Sequence, residues 1–385
     1  MFDIELKPYP GEDEFSFTKR KAYFIRLVGP RISYGEELIG LYSPNGVPIT
    51  KAEKKEIDAF WNKFITPDLR EKLIDYRYYD VFKKIIKPNQ HLSYYLPDTF
   101  YNAFVDDYYT NPQIAGPCDD KNLYDMYFHD INQPKTIFRK VHDSLLDSRY
   151  NIITLEEAIR KSKDAGEVVL KIGKYSNSGH GIMFWNAEAD NEDKLTDFLN
   201  SSSNIVCQQA IKQHPVLGTL NPTSINTIRA LTFFFNNDVY LLSSFVRFGQ
   251  PGSGLDNIHS GGLACGIEPN GQLKNVAFDV AANQFDYQPQ GKPLNHIRIP
   301  NYDRCVDLVK DLAKRFATVS RLVAWDIAVD EKGDPLLIEV GLTYCGSNFH
   351  QICNGPIFGD MTEDVLKDVF ANSYTLKSII KSFKN

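Results

Sequence analysis

Residues able to do chemistry stand in separate groups along this chain. The first is the stretch from Glu167 to Trp185, EVVLKIGKYSNSGHGIMFW, in which Val168 to Leu170 and Gly181 to Trp185 read as two short strands joined by a glycine- and hydroxyl-rich loop. Lys171 closes the first strand, Ser176, Ser178 and Gly179 lie in the loop, and Gly181 ends it. Such a loop can wrap phosphate oxygens with backbone N–H groups and hydroxyls while the lysine supplies a fixed cation. It is not a Walker loop: the G-x-x-x-x-G-K-[ST] order is missing, and an apolar strand follows where that loop would open a helix. A polar hairpin with no ligand is the alternative reading.

The second group is a pair of arginines. Thr227 to Phe235 and Val239 to Arg247 read as two strands around an Asn236-Asn237-Asp238 turn. A three-residue loop there puts Arg229 opposite Phe245, with Arg247 as its diagonal neighbour on the same face. Two arginines on one strand face need an anion, either a structural carboxylate or a charged group of a substrate. The third group is the hairpin Val323 to Val340, VAWDIAVDEKGDPLLIEV, where Asp326 and Glu339 are equally far from a turn at Lys332-Gly333 and so face each other. Opposed carboxylates destabilise a hairpin unless a cation lies between them, and hard cations such as magnesium select carboxylate oxygens. Two solvent-facing side chains are the alternative.

The remaining sequence bounds the molecule that positions these groups. With 385 residues, a net charge of −6, 43% hydrophobic and 24% charged residues, the composition is that of a soluble globular protein of two or three domains. No long basic run favours nucleic acid as a partner. No window reaches the length of a membrane span, and MFDIELKPYPGEDEF holds no apolar segment resembling a signal peptide, so a cytoplasmic location is expected. Six cysteines without a C-x-x-C pair read as buried apolar residues. Residues 1–115 show helical periodicity, as in IDAFWNKF (57–64) and LREKLIDYRYYDVFKKII (69–86), and PQIAGPCD (112–119) suits a boundary.

Further motifs carry a resemblance. Asp120-Lys121, a helix-like stretch, Pro134 and the strand-like Thr136 to Phe138 follow the order that opens the central domain of ATP-grasp ligases. Ser-x-Asn-Thr-x-Arg, then Arg-x-Gly, then Asp-Asn with Gly-Gly closely resembles the sugar-transfer-associated branch of that superfamily, over roughly residues 75 to 360. The resemblance implies an α+β ATP-grasp fold of two lobes gripping ATP, preceded by a mainly helical region: residues 1–115, a central lobe 116–207 and a C-terminal lobe 208–385. It implies that Lys121 and Lys171 touch phosphates, that Gln208, Gln209 and Ile211 lie at the adenine hinge, and that Asp326 and Glu339 bind Mg2+. ATP-grasp enzymes usually add an Asn two residues beyond the Glu, where this chain has Gly341. Asn226, Asp256, Asn257, His259 and Asn348 are candidate substrate contacts.

The function this implies is an ATP- and Mg2+-dependent carboxylate–amine ligase working through an acyl phosphate, with Arg229 and Arg247 as oxyanion stabilisers. Its substrates would be small molecules of polysaccharide or metabolite biosynthesis. A phosphotransferase with Asp256 or His259 as base, and a nucleotide-binding module without catalysis, are the alternatives; Gly341 favours the last.

Overall fold

The computed structural model describes residues 6, 8, 11–174 and 181–383. Ser176, Ser178 and Gly179 lie outside them. Among the described residues no strand precedes Thr136. The N-terminal part is built from helices, among them Gly29–Tyr42, Lys51–Trp61, Pro67–Leu73 and Arg77–Ile85, followed by irregular helical turns from Asp98 to Tyr109. Thr50 and Glu53 start the second of these four helices with a capping box. The periodic stretch 69–86 is two helices, because Ile74 adopts extended backbone (φ −114°, ψ 111°) and turns the chain.

This region holds much of the chain's aromatic surplus. Tyr42, Trp61, Tyr78, Tyr79, Tyr95 and Phe100 are at most 1% exposed. Their polar ends are matched where buried: Trp61 Nε1 donates to Tyr79 Oη at 2.7 Å, and Tyr78 Oη donates to the Gly35 carbonyl at 2.6 Å.

Two antiparallel sheets follow. The smaller has the order β3-β2-β1-β6-β4-β5, from β1 (Thr136–Val141), β2 (Ser144–Asp147), β3 (Ile152–Ile153), β4 (Glu167–Ile172), β5 (Ile182–Asn186) and β6 (Asn204–Gln209). The larger has the order β11-β10-β9-β8-β7-β12-β13, from β7 (Ile228–Phe235), β8 (Asp238–Phe248), β9 (Leu263–Ile267), β10 (Leu273–Phe278), β11 (Gln284–Phe285), β12 (Leu322–Val329) and β13 (Pro335–Gly341).

Strand alternation decides what each face does. In the smaller sheet Val168, Leu170, Ile205 and Cys207 join Phe138, Trp185, Leu195 and Leu199 in a core under the helices Leu155–Ala165 and Glu192–Asn200. Lys171, of opposite parity, points away from that core. In the larger sheet one face, with Ile228, Val246, Trp325 and Ile327, packs on the helix Tyr302–Phe316. The other face is divided. Its Leu231, Phe233, Phe245 and Ala324 share one apolar cluster with the N-terminal helices and with Leu366, Val369 and Ile379 near the C-terminus. Arg229, Arg247, Asp326 and Glu339 occupy the rest.

All six cysteines are buried and unpaired, as expected. No helix of the described residues is long and apolar enough to cross a membrane.

Asp98 is a charge-bearing residue inside the helical part. It is 1% exposed, its Oδ1 accepts the Ser347 hydroxyl at 2.5 Å, and its Oδ2 has no partner among the described residues. Burial pushes its carboxyl up to about 7, the Ser347 hydroxyl opposing. A carboxyl that keeps its proton to higher pH when folded than when unfolded lowers stability as pH rises from about 4 to about 7. Asp98→Asn is expected to remove that fall and to exceed the parent at pH 8 by roughly 1–3 kcal/mol. Urea denaturation at pH 5 and pH 8 measures this, and equal pH slopes in the two proteins would refute it.

Candidate active site

Arg229 on β7 is paired in register with Phe245 on β8 and Asp326 on β12. The turn that sets this register has two residues, not three. Asn236 and Asn237 have φ of 49° and 63°, a left-handed conformation that asparagine tolerates, and Asp238 already pairs with Phe235. The missing loop residue reappears as a bulge: Leu231 pairs with Ser243 and Thr232 with Leu241, which leaves Leu242 unpaired and restores Arg229 to Phe245. On β13, Glu339 pairs directly with Asp326, and a second bulge makes Leu337, not Ile338, the partner of Ile327.

These registers assemble a buried ion cluster. Arg229 Nη1 meets Asp326 Oδ1 at 2.9 Å, and Arg247 Nη2 meets Asp326 Oδ2 at 2.7 Å. Asp326 is therefore the anion that the arginine pair requires. Burial works against its charge, but the two guanidiniums hold its carboxyl below the usual range. Asp256 supports the second arginine. Its Oδ2 accepts the Thr227 hydroxyl and N–H and lies 3.6 Å from Arg247 Nε, while Arg247 Nη2 also donates to Thr227 Oγ1 at 2.8 Å.

The lysines reach the same place from the smaller sheet. Lys121 Nζ lies 2.8 Å from Glu339 Oε1. Burial opposes the lysine's charge, but Glu339, Asp119 and Asp326 outweigh it and raise the pKa. Lys171 has less compensation: burial pulls its ammonium down to about 8, Lys121 adding to the effect and Glu339, Asp326 and Asp256 opposing it. Between the two lysines runs a network the sequence did not signal. Lys121 N donates to the Gly173 carbonyl at 2.9 Å, Gly173 N to the Asn204 carbonyl at 3.0 Å, and Asn204 Nδ2 to Asp120 Oδ2 at 2.8 Å. A Cβ on Gly173 would lie 1.9 Å from Asn204 Oδ1, so only glycine lets the end of β4 meet the Asp120-Lys121 turn.

Other candidate residues scatter in role. Gly181 closes the β4–β5 pairing by accepting Ile172 N at 2.9 Å. Gln208 is buried on the Lys171 face of the smaller sheet, whereas Gln209 is exposed and Ile211 lies just past β6. Asn226 is 0% exposed and spends its amide on the Leu217 and Asn221 carbonyls and on Gln213 Oε1, so it fastens the preceding loop and faces no ligand. Asn257 caps the turn Ile258–Ser260. His259 lies at the rim, its ring 6.3 Å from Phe349. Asn348 donates to Tyr42 Oη at 2.6 Å and so ties the N-terminal helices to the loop after β13; it does not stand in for the residue absent at Gly341.

Gly341 pairs with Ala324, and a Cβ there would lie 3.4 Å from Arg229 Nη2. The recess over Gly341 is thus floored by a guanidinium edge. The Asp326–Glu339 pair does not fit a two-carboxylate metal centre in this arrangement, since Asp326 gives both oxygens to arginines and Glu339 gives one to Lys121. Among the described residues no group of three or more His, Cys, Asp and Glu could hold a metal ion.

The profile of the family described as sugar-transfer associated ATP-grasp matches residues 102–366. No curated protein sequence matches the chain. Solved structures of similar shape include a D-alanyl-alanine synthetase A from Vibrio cholerae, at 12% identity and a TM-score of 0.40, covering 68% of each chain. An L-amino acid ligase from Bacillus licheniformis gives 15% identity and a TM-score of 0.39 over 66% of this chain and 48% of that one. The biotin carboxylase domain of a Hydrogenobacter thermophilus 2-oxoglutarate carboxylase gives 14% and 0.41 over 68% of this chain and 46% of that one. The chain thus spans about half the length of the last two.

The ion cluster itself is testable. Asp326→Asn leaves two partly buried guanidiniums without their anion and is expected to destabilise the fold by about 3–5 kcal/mol. Glu339→Gln, at a side chain 36% exposed, should cost at most about 1 kcal/mol. Chemical denaturation at neutral pH distinguishes them, and an Asp326→Asn protein as stable as the parent would mean the arginines do not depend on that carboxylate.

Proposed function

Because the chain belongs to the sugar-transfer associated ATP-grasp family, we propose that it is an ATP- and magnesium-dependent ligase that joins a small-molecule carboxylate to an amine. The observation that carries this reading is the pair of Lys121 with Glu339 at 2.8 Å, with the buried Lys171 in the field of the same carboxylate, beside an arginine pair set by its own carboxylate. Two ammonium groups delivered from different segments suit a polyphosphate, whose charge would relieve the penalty that burial places on Lys171. Gln208, on the same face of the smaller sheet, is the residue placed to meet the base.

The chemistry follows from what the chain's groups can do. A carboxylate oxygen attacks the γ-phosphorus and ADP leaves; the acyl phosphate then accepts the amine, and phosphate departs from a tetrahedral intermediate. Lys121 and Lys171 hold the phosphates during the first step. Arg229 spends one bond on Asp326, so its remaining donors, beside Gly341, would serve the oxyanion as it develops. Arg247 is locked by Asp326, Thr227 and Asp256 and acts by holding that geometry. Magnesium bound with the nucleotide would be held by Glu339 and would supply charge neutralisation at the phosphates. The phosphotransferase alternative loses Asp256 as a base, because that carboxylate clamps Thr227 and Arg247.

ADP release that requires both a carboxylic acid and an amine is the decisive measurement; release with a hydroxyl acceptor alone would favour phosphotransfer, and no release would favour a binding module. The depressed Lys171 ammonium adds a sign. It carries charge below about pH 8 and loses it above, so ATP affinity should weaken as pH rises from 7 to 9. Lys171→Arg, which stays charged, should flatten that dependence, and a parallel pH profile in the two proteins would exclude Lys171 as a phosphate ligand.

A further inference from the structure

The helix Gly29–Tyr42 lies outside the family-matched residues, yet it runs beside the chain that leaves β13 and is fastened to it at both ends. Near its start, Arg31 pairs with Asp106, which also accepts Tyr344 N at 3.2 Å and Cys345 N at 3.3 Å, and the Arg31 guanidinium lies 4.5 Å from the Tyr344 ring centre. At its end, Tyr42 holds Asn348. Tyr34 stands edge-on to Tyr344, with ring centres 6.2 Å apart and planes at 89°. Tyr344 is held at φ 53° and 40% exposed, a conformation a bulky residue rarely keeps without a reason.

One turn after Tyr34 comes Glu37. It is exposed and forms no salt bridge among the described residues. The ions below it are already matched: Asp326 and Asp256 lie against Arg229 and Arg247, and Glu339 against Lys121. Glu37, on the same helix as Tyr34, is thus a carboxylate without an ion pair among the described residues. Its charge acts on Tyr34 and on His259. Burial raises the Tyr34 hydroxyl, Glu37 adding and Arg229 opposing, while burial lowers the His259 imidazole, Glu37 opposing and Arg247 adding.

A second observation points to a ligand. His350 is 2% exposed, and neither ring nitrogen has a partner among the described residues. Its ring lies 4.7 Å from that of Phe245, the cross-strand partner of Arg229. A buried imidazole with both nitrogens open, next to the arginine-bearing strands, has polar bonds left for an incoming molecule to make.

We propose that the helix Gly29–Tyr42 and the loop after β13 wall a second-substrate subsite for a primary amine, with Glu37 as the counter-ion of the ammonium and Tyr34 and Tyr344 as the rings beside it. This rests on the ligase reading. A carboxylate and two aromatic faces stabilise an ammonium by charge and by cation–π attraction, and the gain grows as the ligand excludes water from Glu37. The bound ammonium gives up one proton to the solvent that reaches Glu37, and the neutral amine so formed attacks from the open side of Arg229, where the acyl carbon would be presented.

The test is steady-state ADP release by the full chain with MgATP and a panel of carboxylic acids, with ethanolamine and glucosamine as probe amines. Glu37→Gln is expected to raise the KM for the amine roughly tenfold or more while the KM for ATP stays within about twofold. Glu37→Asp should recover part of the loss. Tyr34→Phe should keep the amine KM and Tyr34→Leu should not, which separates the ring from its hydroxyl. Glu37 is exposed, so its variants are expected to fold even if Tyr34→Leu does not. Amine-dependent release with an unmoved amine KM in Glu37→Gln overturns the subsite and leaves the ligase standing. No amine-dependent release from the wild-type chain overturns both.

Discussion

Two guanidiniums on adjacent strands repel each other, and inside a sheet they have little water to screen them. The carboxylate of Asp326 makes their placement tenable by giving one oxygen to each. The rest of the site follows from that arrangement. Asp326 must lie on the strand next to Arg229, which fixes the neighbours β8, β7 and β12. Its cross-strand partner is then Glu339, which turns to Lys121 and so links the larger sheet to the turn that meets the end of β4. Lys171 enters this field without an ion pair among the described residues, and its ammonium is depressed first by burial and then by the neighbouring Lys121.

What could be read from the chain, and what could not, divides along the range of the interactions. The facing of Asp326 and Glu339 follows from symmetry about Lys332-Gly333, and the structure keeps it although a bulge shifts the pairs beyond. The pairing of Arg229 with Phe245 was right for a different reason: a two-residue asparagine turn and a bulge at Leu242 together displace the register as much as a three-residue loop would. Lys171 was legible because it ends an apolar run at a glycine loop. The Asp120, Asn204 and Gly173 network was not, since it joins polar residues about 80 positions apart, none of which stands in a pattern. The helix Gly29–Tyr42 announced itself as a helix, but its docking on Tyr344 and Asn348 depends on contacts that periodicity does not encode. Asn226 illustrates the opposite failure: a polar residue within a family motif that the fold buries and satisfies completely.

The departure at Gly341 takes on a spatial meaning. A Cβ at this position would lie 3.4 Å from Arg229 Nη2 and 3.5 Å from the Ala324 side chain, so the residue here borders the arginine pair directly. Around it Asp326 is paired with Arg229 and Arg247 and Glu339 with Lys121, so the protein's own guanidinium and ammonium groups neutralise these carboxylates.

The divided face of the larger sheet has a consequence for how this protein can fail. Phe233 and Phe245 on that face are covered by the same apolar cluster as Tyr42, Phe100 and Ile379, while Arg229 lies one register step from Leu231. The helical region and the ionic centre therefore have no seam along which one could detach and spare the other. A lesion deep in the aromatic helices would thus loosen the strands that carry Arg229 and Arg247 as well. Exchanging the N-terminal segment for another would leave Leu231, Phe233 and Phe245 without the apolar side chains that now cover them, unless the facing strands were exchanged with it.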